Sequence, residues 1–335
     1  MSLAAVFHEL ESGSGVSGEL GTLERRLLCH NQCDLFVGVR KPGNHHTFRV
    51  RFPRGIVPKP LDFPSFKDMD LSEYSSQEEG GKHYTIQLRL ANPVFNDVFT
   101  CLVEDISAHV SVVSDEKDAV AAFAARLAKW QRFLERHSPD GMTPEEQRGL
   151  YGELWFLLNR LFGILPVPSA VENWTGPSAA ARDFESGGCA VEVKTTVAKQ
   201  HQRLQVNSEK QLDGAGLSAL FLCHLALDQV HGAGETLPSM VHAVRGVVSG
   251  TPEETLFEDR LRDYGYLDIH EHRYSQIGYV LRDSHLFRVA EGFPRITGDD
   301  LVPGVGDVRY SIGVAECMHF PSSTDDLRRQ LVGKA

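Results

Sequence analysis

Apolar and polar positions divide the chain into stretches of different period. Leu35 to Arg40, Thr47 to Phe52, Tyr84 to Leu90 and Val98 to Val103 are short runs rich in apolar residues, and they predict strands. The links between them are polar and glycine-bearing, as in Ser75-Ser76-Gln77-Glu78-Glu79-Gly80-Gly81, so a β-rich antiparallel module is expected over residues 1–112. Its first 22 residues are rich in Gly and Ser and are expected to be loosely held. The period changes at Asp115. Val120, Phe123, Leu127, Trp130, Phe133 and Leu134 follow at helical spacing as far as Arg136, behind Ser114 as N-cap, which predicts a connecting helix within residues 113–140 with Trp130 in the core.

Residues 141–335 alternate between the two periods. Thr143 as N-cap, Pro144 at the first helical position and Glu146 at the capping-box position open a helix, whose face is Leu150, Leu154, Leu157, Leu158 and Leu161. Gly149 and Gly152 lower its helix propensity, which points to close packing there. A hairpin over Asp183 to Thr196 follows, then a strand near Leu204 to Asn207, a short helix holding Gln211 and a buried strand from Leu217 to Leu227. Helices over Leu237 to Val248 and Pro252 to Tyr264, then strands at Ile277 to Leu281, Leu286 to Val289 and Val308 to Ala315, complete the chain. The expected fold class is α/β, an α/β/α core with a mixed sheet preceded by the β-rich module.

The hairpin carries the chemistry. In Cys189-Ala190-Val191-Glu192-Val193-Lys194-Thr195 the alternation puts Glu192 and Lys194 on one face and Val191 and Val193 on the other. Gly187 and Gly188 favour a tight reversal that returns Asp183 alongside this strand. Two carboxylates suit a hard cation such as Mg²⁺, which takes oxygen ligands and keeps several waters, and a neighbouring Lys can neutralise developing negative charge. The same residues also fit an ordinary surface hairpin. Glu153 lies beside the apolar face of its helix, where an unpaired charge is costly, and is a candidate third acid; a solvent-edge Glu is the alternative.

Gln147-Arg148-Gly149-Leu150-Tyr151-Gly152-Glu153-Leu154, Trp174-Thr175-Gly176-Pro177, Arg182-Asp183-Phe184 and Val191-Glu192-Val193-Lys194-Thr195-Thr196 resemble the bacterial proteins called PD-(D/E)XK motif proteins. Val206-Asn207-Ser208 with Gln211-Leu212, and Val308-Arg309-Tyr310-Ser311-Ile312, extend the likeness over nearly the whole chain. The resemblance implies a restriction-endonuclease-like core and a Mg²⁺-dependent deoxyribonuclease, with Mn²⁺ as an alternative metal, from a restriction or phage-defence system. It makes Asp183, Glu192 and Lys194 the metal and catalytic triad, Glu153 a helix-borne acid and further metal ligand, and Gln211 an auxiliary polar residue. The chain departs from the superfamily name at one place, where Arg182 and not Pro precedes Asp183. The expected partner is DNA, with other defence subunits or a second copy of the chain as further partners. A nuclease fold without turnover, serving as a DNA-binding or scaffolding subunit, is the alternative.

Composition narrows this little, but charge matters. A net charge of −11 opposes indiscriminate binding to nucleic acid, because phosphate contacts come from Lys and Arg. Basic residues are nevertheless clustered. Arg25, Arg26, Arg40, Lys41, Arg49, Arg51, Arg54 and Lys59 meet only Asp34 between residues 25 and 59, and Lys199, His201, Arg203 and Lys210 follow the proposed centre. Lys199, Arg203, Lys210, Arg49 and Arg51 are the candidate nucleic-acid contacts; outward positions of an alternating strand are the other reading of Arg49 and Arg51. Cys29, Cys33, Cys101, Cys189, Cys223 and Cys317 lack a second pair at zinc-ligand spacing and are expected as free thiols, and His270-Glu271-His272 as a solvated turn. No apolar run approaches the roughly 20 residues of a membrane span, and no signal-peptide profile opens the chain, so a cytoplasmic protein without membrane contact is expected.

Overall fold

The computed structural model describes residues 2–13, 21–27, 33–53, 66, 68–78, 81–178 and 180–333. The chain divides into two units, Met1–Asp140 and Gly141–Ala335. Cys29, Arg54 and Lys59 lie outside the described residues.

In the first unit, α1 (Leu3–Ser12) precedes strands β1 (Gly21–Arg26), β2 (Asp34–Lys41), β3 (His45–Pro53), β4 (Met69–Glu78) and β5 (Gly81–Leu90). They form an antiparallel sheet in the order β1-β2-β3-β5-β4. Two helices follow, α2 (Asn96–Ser111) and α3 (Glu116–Arg136). Phe48, Val50, Phe52, Ile86 and Leu88 are buried with Val98, Phe99, Leu102 and Phe123 from the two helices.

Several expectations change here. Residues 3–12 are a helix that buries Leu3, Val6 and Phe7, not a loose leader. Ser75 to Glu78 continue β4 instead of forming a link. Val98 to Val103 lie within α2: Val98, Leu102, Val103, Ile106 and Val110 are buried at helical spacing, so the longer window overrides the short apolar run. The N-cap of α3 is Asp115, whose carboxylate accepts from Lys117 N at 2.8 Å, one residue after the expected Ser114. Helix α3 packs on α2 within the first unit. Trp130 is fully buried there and donates to Asp105 Oδ2 at 2.7 Å, and Arg126 donates to Asp105 Oδ1 at 2.6 Å.

The second unit opens with α4 (Pro144–Asn159), α5 (Val167–Glu172), β6 (Phe184–Ser186), β7 (Cys189–Thr196), β8 (Arg203–Val206), β9 (Ala219–His231) and β10 (Glu235–Thr236). It continues with α6 (Leu237–Val248), α7 (Glu254–Tyr264), α8 (Glu271–Tyr274), β11 (Ile277–Arg288), β12 (Tyr310–Gly313), α9 (Val314–Cys317) and α10 (Thr324–Val332). The fold is mixed α/β. Its main sheet runs β10-β11-β9-β7-β6, with β7 and β9 parallel and the other pairs antiparallel, while β8 and β12 form a separate antiparallel pair.

Val191, Val193, Cys223 and Leu225 pack with Leu150, Leu154 and Leu157 of α4 and with residues of α6 and α7. Ala190, Leu220 and Leu222 pack the other way, with Leu204 and Val206 of β8, Ile312 of β12, and Val314 and Cys317 of α9. One layer is thus helical, and the other combines a short helix with the β8–β12 pair. The two expected strands at 277–289 are a single strand, β11, whose register shifts between Leu281 and Asp283. The C-terminal strand stops at Gly313, where α9 begins. His270 is buried, so the 270–272 segment is not a solvated turn, although His272 is exposed. Among the described residues, no helix is long and apolar enough to cross a membrane.

The capping box of α4 forms as expected: Thr143 Oγ1 accepts from Glu146 N at 3.3 Å, and Glu146 Oε2 accepts from Thr143 N at 2.7 Å. Gly152 allows this helix to lie against β7. A Cβ there would sit 2.5 Å from Thr195 Cγ2 and 3.5 Å from Val193 Cγ1. Gly152→Ala is therefore expected to destabilise by about 1–3 kcal/mol, because overpacking outweighs the helix-propensity gain of roughly 1 kcal/mol. Urea denaturation measures this, and an unchanged or raised midpoint refutes the close-packing argument.

Candidate active site

The hairpin of β6 and β7 turns at Gly187 and Gly188, whose φ values of +55° and +83° suit a two-residue reversal that disfavours side chains bearing Cβ. The turn pairs Phe184 with Val191 and brings the Asp183 carboxylate to β7, where Oδ2 accepts from Val193 N at 2.7 Å. Glu192 and Lys194 project from the face opposite Val191 and Val193, as the alternation requires. Lys194 Nζ lies 2.7 Å from Glu192 Oε1 and donates to Gln211 Oε1 at 3.2 Å. Gln211 is held in turn, because the same oxygen accepts from Asn207 N at 2.8 Å.

Glu153 reaches the group from α4. Trp174 Nε1 donates to its Oε2 at 2.7 Å, and the Tyr264 hydroxyl at the end of α7 donates to its Oε1 at 2.9 Å. Trp174 and its neighbours lie beside Asp183 because Thr175 N and Gly176 N donate to the Asp183 carbonyl at 2.8 and 3.0 Å. Gly176 occupies the narrowest point. A Cβ on it would come 2.6 Å from Glu153 Oε2 and 3.2 Å from Asp183 Oδ1, so both acids border the same small space.

Electrostatics turns this geometry into a demand for positive charge. Burial, with Asp183 nearby, pushes Glu192 up to about 8 despite Lys194. Burial also lifts Glu153 to about 7, against the pull of Trp174 and Tyr264. Asp183 keeps part of its residue surface exposed, but its carboxyl group is enclosed; burial and Glu153 push it well above the ordinary range. Burial alone would lower Lys194, but Glu192 and Asp183 outweigh it and hold the ammonium protonated.

Glu192 is the key to whether a divalent cation fits. Its side chain is 1% exposed; the Lys194 ammonium lies 2.7 Å from Oε1, while Oε2 has no hydrogen-bond partner among the described residues. A buried carboxylate with spare lone pairs beside Asp183 Oδ1 is a hard-oxygen donor set, suited to Mg²⁺ or Mn²⁺. Among the described residues no three His, Cys, Asp or Glu side chains are grouped to hold an ion by themselves. Glu153 borders the same space as Asp183, and each of its oxygens accepts one hydrogen bond, from Trp174 or Tyr264, which fixes its orientation and leaves lone pairs on both.

A family model described as "Putative PD-(D/E)XK family member, (DUF4420)" matches residues 3–315. The chain belongs to this family. Comparisons with curated proteins and with solved structures returned no match. Membership of a nuclease-like family agrees with the Asp183, Glu192 and Lys194 arrangement in this PD-(D/E)XK chain, with Arg182 at the Pro position. The Arg182 guanidinium is half-buried and donates to Glu185 Oε1 at 3.0 Å and to the Asp213 carbonyl.

The candidate nucleic-acid residues separate. Lys199 is 78% exposed, 3.9 Å from an Asp228 oxygen, and lines an open groove with His201, Gln202, Arg203 and residues 313–315. Arg203 is exposed and donates to Ser311 Oγ at 3.0 Å, and Lys210 is exposed in the turn that carries Gln211. That turn replaces the expected short helix. Arg49 and Arg51 belong to the first unit, where Arg49 donates to Glu24 at 2.5 Å and Arg51 Nε to Asp34 at 3.0 Å. Both stack over Phe36, which matches the outward-strand reading. Cys223 and Cys317 are buried free thiols.

Residue-by-residue reading missed Tyr264. It lies 111 positions from Glu153 in the chain and carries no local signal, since an aromatic at a helix C-terminus has many uses. Trp174 entered only through the family resemblance, although a Trp N–H needs a partner when buried.

Proposed function

We propose that this chain is a divalent-metal-dependent phosphodiesterase acting on DNA, an endonuclease of a restriction or phage-defence system. The observation that carries this reading is the Glu192 carboxyl group, buried between Asp183 and the Lys194 ammonium with Oε2 left without a hydrogen-bond partner among the described residues. Three buried acids, Asp183, Glu192 and Glu153, share the single Lys194 ammonium, so their charged forms call for further positive charge. Asp183 and Glu192 would hold Mg²⁺ or Mn²⁺, and Glu153, gripped by Trp174 and Tyr264, would shape the space around them. A divalent cation bound there supplies positive charge at a phosphate under attack and acidifies water.

The protein's own groups supply the rest. Lys194 keeps a protonated donor at the rim, where it orients the attacking water or neutralises charge developing on the phosphate oxygens. Gln211, fixed by Asn207 N, limits where the ammonium points. Lys199, Arg203 and Lys210 offer phosphate contacts on the same unit. Other defence subunits, or a second copy of the chain, are the proposed protein partners.

Supercoiled, linear and single-stranded DNA, together with RNA, should be incubated with Mg²⁺, Mn²⁺ or chelator. Nicking of DNA that requires the metal is expected. DNA binding without metal-dependent product would instead identify a scaffolding subunit, and intact DNA beside cleaved RNA would move the substrate class.

A further inference from the structure

Three cations converge on three consecutive residues at the edge of the site. Lys194 donates to the Gln211 side chain at 3.2 Å, Arg295 Nη1 to the Leu212 carbonyl at 2.8 Å, and Arg182 to the Asp213 carbonyl. Two of these charges are matched. Lys194 faces Glu192 at 2.7 Å, and Arg182 faces Glu185 at 3.0 Å. Arg295 has no acid within ion-pair distance among the described residues. Asp300 feels the Arg295 charge from beyond that distance, and its carboxylate accepts from Thr297 N at 2.8 Å and Thr297 Oγ1 at 2.9 Å.

Arg295 is also held in place. Its neighbour Ile296 is held by the Tyr310 hydroxyl, which donates to the Ile296 carbonyl at 3.3 Å. Only one guanidinium nitrogen is used on Leu212, and the residue is half-buried, so N–H donors of the fork remain for a ligand; Arg295 and Lys194 both act electrostatically on Tyr310. A preorganised guanidinium with spare N–H donors matches two phosphate oxygens at once, which a Lys cannot do. In a chain of net charge −11, an unmatched cation at this edge also concentrates polyanion locally.

We infer that Arg295 binds a backbone phosphate of the nucleic acid and seats the strand against the Asp183, Glu192 and Lys194 centre. This rests on the phosphodiesterase reading for its location, but not for its test. Binding of a labelled DNA duplex in chelator is measured against salt for the parent, Arg295→Gln and Arg295→Lys. Arg295→Gln keeps an N–H for the Leu212 carbonyl and removes the charge. It is expected to melt with the parent, to bind about tenfold more weakly, and to reduce the slope of log affinity against log salt by about 0.9, the release of one counterion. Arg295→Lys is expected to keep the slope and lose part of the affinity.

Equal affinity and slope in Arg295→Gln overturn the inference. So does an Arg295→Lys protein that falls as far as Arg295→Gln, since that marks a structural role, and so does a parent that binds no nucleic acid. A parent that binds with an Arg295-dependent slope but never cleaves keeps the phosphate contact and removes the nuclease. Metal-dependent cleavage with an unchanged KM in Arg295→Gln does the reverse.

Discussion

Lys194→Ala is expected to lower metal-dependent nicking by roughly 10³-fold or more, the scale of losing a charge-stabilising donor in a desolvated site. Asp183→Ala should fall at least as far, since it removes a carboxylate proposed to hold the cation beside Glu192. Removing one member of a buried ion pair commonly costs about 3–5 kcal/mol, so the Lys194 variant needs a folding control. That cost is reduced here. The Glu192 carboxyl titrates up near 8 even beside the ammonium, so at neutral pH it already holds a proton for most of the time and stays buried uncharged when Lys194 is removed. Plasmid nicking with a melting curve near pH 6 to 7 separates the two effects. A folded Lys194→Ala protein that nicks at the parent's rate removes Lys194 from the chemistry.

The metal-free protein is expected to lose several kcal/mol of stability between about pH 5 and pH 8 from the acid cluster alone. Glu153 rises from 4.5 to about 7 and Glu192 from 4.5 to about 8 on folding, and Asp183 moves in the same direction. The sign follows from proton binding. In that window the folded chain holds protons that the unfolded chain has released, so stability is full below about 4.5 and falls as pH climbs through the folded values. Lys194 contributes nothing in this window, since its raised value lies well above it. Added Mg²⁺ or Mn²⁺ should restore much of the loss near pH 8 and little near pH 5, because protons and metal compete for the same oxygens.

Glu192→Gln provides the reference. Its melting temperature in chelator should vary less steeply with pH than the parent's, by about one proton. Parallel curves for the two proteins, or a parent more stable near pH 8 than near pH 5 by the same margin as the variant, sink the electrostatic account of the site.

Much of the centre was legible because its geometry is local. A strand has period 2, so Glu192 and Lys194 had to share a face once β7 formed, and two glycines had to close the turn that returns Asp183. The capping box at Thr143 and Glu146 fixed the start of α4 for the same reason. Short apolar runs were less informative. Val98 to Val103 fits either period over six residues, and only the continuation to Val110 and the packing on α3 decide for helix.

By itself the amino-acid order determined which side chains sit on one face of one element, and therefore the Asp183, Glu192 and Lys194 group. Tertiary structure alone decided what surrounds them: Tyr264 and Trp174 gripping Glu153, Gly176 wedged between two acids, and Arg295 meeting the turn at 212. The reason is range. Backbone periodicity constrains neighbours a few residues apart, whereas contacts across 21 or 111 positions are selected by how whole layers pack and by which buried polar groups must find partners.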